Sequence, residues 1–348
     1  MMGGRVERLF GIEHPILLGA FGGLSSVELT ASVSELGGLG QFGLYGYGRE
    51  RIRDTAAAIR SATELPFGLN VWLPRGDEVA PGDVDIAAVT GALAPFYAEL
   101  GIEPPAAPEA FIPTFAEQLE AVLEARPAVL SVVFGVPGAD AVAAAHAHGI
   151  RVVGTATTVA EGRALAEGGV DAVIASGAEA AGHRTSFLRP AEESLVGTFA
   201  LVPQLVDAVD VPVIAAGGIA DRRGVAAALA LGAEGVVVGT AFLATRQSAA
   251  PASHRAAIAA ASDDGTVLTR AMSGRLARGI PNRAVRAIEH GGIIAPFPAQ
   301  NWATGAFRAE AGRRDEGELL SLWAGQAAPL ARFADAETLF SELAAGFA

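Results

Sequence analysis

One histidine stands alone in an unusually permissive stretch of this chain. The segment "ASGAEAAGHRTSF", residues 175–187, follows the apolar run "DAVIA" and sets His183 behind a series of small residues. An imidazole titrates near neutral pH, so it can take or give a proton where arginine and most carboxylates cannot. Small neighbours let backbone approach a flat ligand closely. On position alone, local packing or capping accounts for such a histidine equally well.

Two glycine turns are the next candidates. "AAGGIADRRG" puts Gly217 and Gly218 at the end of one apolar run, and "VVVGTAF" puts Gly239 and Thr240 at the end of the following one. A glycine turn that opens a helix offers unspent N–H groups and the positive end of the helix dipole, which together suit an anion. Either turn alone reads equally as a tight connection, but two at consecutive strand ends point to a phosphate group. No cluster of basic residues accompanies them. The ligand expected is therefore a cofactor monoester held by backbone, such as flavin mononucleotide (FMN). Asn70, closing the run "PFGLN", would then hydrogen-bond the flavin ring or ribityl chain, with turn capping as the commoner alternative.

The other polar candidates carry less. His146 and His148 sit at a helix end, where the negative dipole favours them; His14, His254 and His290 lack a carboxylate or histidine at ligand spacing, so no metal site is expected. All five read as structural or solvated. "GLGQFG", residues 38–43, matches G-x-G-x-x-G but follows a helix rather than a strand, so it reads as a connection and not as a dinucleotide fingerprint. Glu192 and Glu193 read as solvated helix-start acids.

Composition narrows the chemistry further. The 348 residues include no cysteine and no lysine, which removes thiolate and Schiff-base catalysis and Cys-based metal sites. A net charge of −13 repels polyanions, so nucleic acid is not an expected partner. The N-terminal "MMGGRVERLFGIEHP" lacks the apolar core of a signal peptide, and later Ala/Val-rich runs are broken by Gly, Asp or Glu before they could span a bilayer. The expectation is a cytoplasmic protein without membrane association. No heptad pattern or isolable apolar stripe bears on oligomeric state, which leaves a homo-oligomer open.

These residues need a frame that brings strand ends together. From residue 128 onward a short β-branched run, a turn and an Ala/Leu-rich helix recur: "AVLSVVFG", "RVVGTA", "DAVIAS", "VPVIAAGG" and "EGVVVGTAF" are the runs. Continuous apolar runs without alternation indicate parallel strands covered on both faces. "HPILLGA", "GLGQFG" and "LPFGLNVWL" add three more, separated by helices over 26–36 and 49–62, and Gly149, Gly168 and Gly232 read as helix stops. The sum predicts an α/β fold, a (β/α)8 TIM barrel, over an open doubly wound sheet. Residues 1–249 form the barrel, with a helical insertion at about 74–113. Residues 250–348, where the strand pattern stops, form a smaller, mainly α-helical portion over the barrel mouth.

With the motifs in place, the chain resembles the nitronate monooxygenase family, FMN-dependent barrel enzymes formerly called 2-nitropropane dioxygenases. The resemblance runs through "ELGGLGQFG", "PFGLNVWL", "SVVFGVP", "SGAEAAGHRTSF", the double-glycine segments, "SGRLARGIPN" and "LWAGQ". It implies FMN across the barrel mouth with its phosphate at Gly217, Gly218, Gly239 and Thr240. It implies that Asn70, Ser176, Ala181 and Gly182 line the flavin and that His183 is the catalytic base on nitroalkanes, whereas ionised nitronates need no proton removal. Departures fall near the ring: Ser176 and Ala181 stand where the family usually has Gln and Gly, and "GAFGG", with Ala20 and Phe21, replaces an Ala-Pro-Met segment.

The activity expected is oxidation of small alkyl nitronates, and of neutral nitroalkanes, by O2. The competing reading is an FMN enzyme that passes electrons from NAD(P)H to a quinone or an enoyl thioester, because the barrel does not fix the reaction. A catalytically idle flavin or phosphate-ligand binding protein that serves as an assembly partner is the third.

Overall fold

The computed structural model describes residues 4–347. Its frame is eight parallel strands, Ile16–Leu18, Gly40–Gly43, Phe67–Trp72, Val129–Val133, Arg151–Ala156, Ala172–Ser176, Val213–Ala216 and Gly235–Val238, which we call the first to eighth barrel strands. They neighbour one another in chain order, and the first pairs with the eighth. The ring closes between the first and second strands at Leu39, whose N–H donates to the Ile16 carbonyl at 2.9 Å and whose carbonyl accepts from Leu18 N–H at 2.9 Å. The expected (β/α)8 barrel is the fold found.

Side chains alternate across the barrel wall, as parallel strands covered on both faces require. Leu18, Leu69, Leu130 and Val132 face the helical shell, whereas Leu17, Val129, Val153 and Ile214 fill the lower interior with Val6 and Phe10 of the N-terminal helix Arg5–Phe10. Nearer the C-terminal ends the lining turns polar: Gln41, Asn70, Ser131, Thr155 and Ser176 border a cavity. A packed floor thus carries a polar layer at the mouth, where barrels of this kind keep their chemistry.

Caps set the shell helices. The Ser26 hydroxyl accepts from Leu29 N–H at 2.9 Å at the start of Val27–Glu35, and the Asp221 carboxylate accepts from Arg223 N–H at 2.9 Å at the start of Arg222–Ala230. Gly149 and Gly232 end helices with φ of 73° and 93°, as expected. The stop expected at Gly168 is one residue later: Gly168 keeps helical backbone and Gly169 takes the left-handed conformation, with φ of 86°.

Two further parts lie outside the barrel repeat. The insertion folds into helices Ile86–Ala92 and Ala94–Leu100, which share a second core with Arg283–Gly291 and Ala299–Arg314. Phe96 and Phe307 stack at 5.0 Å, and the Tyr97 hydroxyl donates to the Ala303 carbonyl at 2.9 Å. Contrary to the expectation of no strands after residue 249, Val267–Thr269 and Ala277–Gly279 form an antiparallel sheet with Gly182–His183. Strands of three residues are too short to show a period. The helix Ala336–Ala344 returns to the outside of the barrel, against Val27–Glu35 and Arg222–Ala230. Glu192 is not simply solvated: it lies in a 3-10 turn, Ala191–Glu193, and pairs with Arg270 at 2.6 Å. Among the described residues no helix is long and apolar enough to cross a membrane.

Candidate active site

A cavity of about 740 Å³ opens at the C-terminal ends of the strands, within the size range of small-molecule and cofactor sites. Ala20, Phe21, Asn70, Ser176, Ala181, Gly182, His183, Gly217, Gly218, Gly239 and Thr240 all border it. They come from the loops after the first, sixth, seventh and eighth strands and, for Asn70 and Ser176, from the third and sixth strands themselves. Asn70 is a buried strand residue, not a turn cap; its Nδ2 donates to Ser131 Oγ at 3.0 Å, which leaves Oδ1 to accept from a ligand.

The two glycine turns have the geometry of a backbone cradle. Gly217 and Gly218 hold φ of 102° and 77°, a region that favours glycine. A Cβ on Gly217 would lie 3.0 Å from Thr198 Oγ1 and 3.1 Å from Ala180 N, so the turn has no room for a side chain there. Among the described residues none accepts a hydrogen bond from the N–H of Gly218 or Gly239. Both donors belong to turns that border the cavity, and each turn leads into a helix.

The loop after the sixth strand is braced from behind. Arg184, fully buried, donates from Nη1 to the Gly177 carbonyl at 2.7 Å and from Nη2 to the Ser176 carbonyl at 3.0 Å; Arg278 Nε donates to the Ala178 carbonyl at 2.9 Å. Glu179 accepts from Thr198 N–H at 2.9 Å. Gly182, with φ of 71°, then turns the chain so that His183 pairs with Ala277 of the small sheet.

His183 borders the cavity among aromatic rings, 4.9 Å from Trp72 and 5.5 Å from Trp323 between centroids. Its Nε2 lies 2.8 Å from the buried Ser273 hydroxyl, and Nδ1 has no protein partner among the described residues. Burial pushes the imidazole down to about 3, and the nearby Arg275 and Arg308 guanidinium groups push the same way. The ring is therefore neutral at physiological pH, as a proton acceptor must be. Arg275 is itself neutralised by Asp77 and Glu78 and lies over the Phe297 ring at 3.9 Å.

Several cavity residues were invisible to sequence reasoning. Tyr45, Asn301, Arg308 and Ser321 form a polar, hydrogen-bonded part of the lining; Asn301 Nδ2 donates to the Tyr45 hydroxyl at 3.1 Å, and burial pushes that phenol up to about 12. Trp72, Ser273 and Trp323 lie inside the motifs "PFGLNVWL", "SGRLARGIPN" and "LWAGQ", where no local pattern marks them for a role. His254 is buried and also borders the cavity, with Nε2 donating to the Trp323 carbonyl at 3.0 Å. His146 pairs with Asp171 at 2.8 Å on the outside.

The model of the nitronate monooxygenase family matches residues 4–346. The chain belongs to that family. A probable nitronate monooxygenase of Staphylococcus aureus (strain Newman) is 37% identical over 341 residues, 97% of this chain and 96% of that protein. Among solved structures, a nitroalkane oxidase from Streptomyces ansochromogenes superimposes with a TM-score of 0.87 at 33% identity, covering 98% of this chain and 97% of that one. FabK from Thermotoga maritima is similar too, at a TM-score of 0.77 and 29% identity, covering 100% of this chain and 96% of that one. Nitronate monooxygenases are flavin-dependent oxidoreductases, and this member is an oxidoreductase with a small-molecule substrate. The residues around its cavity suit a phosphate-tailed flavin: unspent N–H donors at two glycine turns, an acceptor at Asn70, and flat aromatic walls.

Proposed function

We propose that the protein oxidises small alkyl nitronates, and neutral nitroalkanes, with FMN as cofactor and O2 as electron acceptor. The observation that carries this reading is His183, tethered at Nε2 by Ser273 and with Nδ1 unpartnered at a cavity shared with both glycine turns. Gly217, Gly218, Gly239 and Thr240 would hold the phosphate through backbone N–H groups and helix dipoles. Asn70 would accept from the flavin ring, with Ser176, Ala181 and Gly182 along the ring and Ala20 and Phe21 covering it. Bound there, FMN supplies the two-electron redox chemistry.

The protein's own contribution is proton handling and shielding. The Ser273 hydroxyl is 3.1 Å from the Arg275 carbonyl and has one hydrogen. With that hydrogen given to the carbonyl, Nε2–H donates to Ser273 Oγ and the lone pair resides on Nδ1. On a neutral nitroalkane, Nδ1 takes the α-proton while the C–H electron pair stays on the substrate, which becomes the nitronate. A nitronate supplied as such requires no base. Trp72, Trp323 and Phe21 keep water from the reacting carbon.

Anaerobic mixing of the FMN-loaded protein with an alkyl nitronate is expected to bleach the flavin within the turnover time, and NAD(P)H is expected to leave it oxidised. Rapid bleaching by NAD(P)H and none by the nitronate would reverse the conclusion in favour of a quinone or enoyl-thioester reductase.

A further inference from the structure

Arg308 is a cation without a counter-charge. It lies on helix Ala299–Arg314 and borders the cavity beside Asn301, which bonds Tyr45 of the loop after the second strand. Its Nη1 donates to Ser321 Oγ at 2.9 Å, and its Nη2 donates to the Asn301 carbonyl at 3.0 Å and to Asn301 Oδ1 at 2.8 Å. All three acceptors are neutral. Its Nε is buried without a partner, and among the described residues no carboxylate comes within ion-pair distance. Three bonds leave at least two of the five N–H donors of a guanidinium unspent.

Arg275 shows what the usual arrangement looks like. Both cations stand near His183 and add to the burial that keeps it neutral, yet Arg275 is paired with two carboxylates and Arg308 with none. Burial alone pushes Arg308 down, to about 10, so the group keeps its charge at physiological pH. An unpaired charge in a poorly solvated wall is costly, and the cost falls when an anion arrives beside it. The neighbours cannot serve as that anion: Tyr45 stays a neutral phenol, and His183 is uncharged.

We propose that Arg308 holds the negative charge of the substrate, taking the oxygens of a nitronate group, so that the site selects the ionised substrate over its neutral carbon acid. This rests on the nitronate reading of the cavity. The tether to Asn301 and Ser321 fixes the guanidinium before substrate arrives, which limits the entropy lost on binding. The chain His183, Trp72, Tyr45, Asn301, Arg308 is continuous: the Trp72 and His183 rings are 4.9 Å apart, those of Tyr45 and Trp72 are 4.4 Å apart, and Asn301 bonds both Tyr45 and Arg308. Anion binding and proton removal therefore share one wall of the site.

Nitrate, a planar oxyanion of similar shape, tests this without turnover. Titrated into FMN-loaded protein, it should perturb the flavin absorbance saturably and compete with nitronate. In flavin-free protein the fluorescence of Trp72 and Trp323, both at the cavity, gives a second readout. Arg308→Met should weaken nitrate at least about ten-fold, the loss of one charge-assisted contact, while Arg308→Lys stays within about three-fold of wild type. In turnover, Arg308→Met should raise the nitronate KM by about ten-fold and the neutral nitroalkane KM by about two-fold or less. Equal nitrate affinity in wild type and Arg308→Met, or equal KM increases for both substrates, would overturn the assignment; so would nitrate that displaces FMN rather than nitronate. A protein that binds nitrate through Arg308 but turns over no nitronate would refute the proposed activity and leave the anion site standing.

Discussion

A neutral histidine beside two cations makes a specific demand on pH. Because burial and the two guanidinium groups lower His183 to about 3, its base form persists well below the ordinary histidine range. For a neutral nitroalkane, kcat/KM is expected to stay level from about pH 8 to about pH 5, with no acid limb near the usual histidine value. A pH–rate profile with such a limb would mean that the imidazole titrates normally. His183→Asn should keep FMN and cut nitroalkane turnover by about 10²- to 10⁴-fold, the range of general-base contributions, while nitronate turnover changes little. Ser273→Ala removes the Nε2 tether and should lower nitroalkane kcat by about ten-fold without releasing FMN, read by steady-state rates and flavin content. The histidine was legible in sequence because it follows a buried strand in a loop of small residues. Ser273 and Arg308 were not, because a side chain that acts across 90 or more positions leaves no local pattern.

Strand-to-helix turns carry the binding function at the next scale. Gly217 marks the point where the seventh strand must bend under Ala180 and Thr198, and its φ of 102° is open to glycine and little else. Gly217→Ala would strain that turn by about 1–3 kcal/mol and push the loop after the sixth strand outward. We expect the variant to fold, to melt a few degrees lower, and to lose FMN on dialysis under conditions where the wild type retains it; unchanged retention would remove the turn from the cofactor site. Turns of this kind are readable because paired glycines at a strand end mark backbone that must bend where a side chain would not fit. The barrel strands were readable for a related reason, since runs such as "AVLSVV" and "VPVIAA" must be covered on both faces. The small sheet was not readable, because its three strands are two or three residues long and depend on pairing partners far along the chain. That sheet fixes the backbone of His183, so the element that positions the base was the one least visible.

For the molecule as a whole, two opposite effects meet between the histidine and carboxylate ranges. The chain carries a net charge of −13, and losing negative charge as pH falls relieves self-repulsion and favours the folded state. Two lowered histidines act the other way. His183 and His254 are lowered to about 3 and about 4, both chiefly by burial, from an ordinary value of 6.5. Below pH 6.5 the unfolded chain therefore binds protons that the folded chain refuses, and stability drops as pH falls towards the folded values. Each such histidine contributes a slope of up to about 1.4 kcal/mol per pH unit, and the contribution is fully present only above the ordinary histidine range. Diffuse surface repulsion is screened by salt, whereas the desolvation that lowers these two rings is affected much less. Melts at high salt should thus show stability falling between pH 6.5 and pH 4.5, before Asp221, Asp335 and Glu78, all lowered in the fold, add their own losses at more acid pH. His254→Asn should reduce that slope by about half while leaving the acid end unchanged. A slope equal in wild type and variant, measured by denaturant unfolding at matched salt, would mean that His254 takes up protons as freely in the folded chain as in the unfolded one.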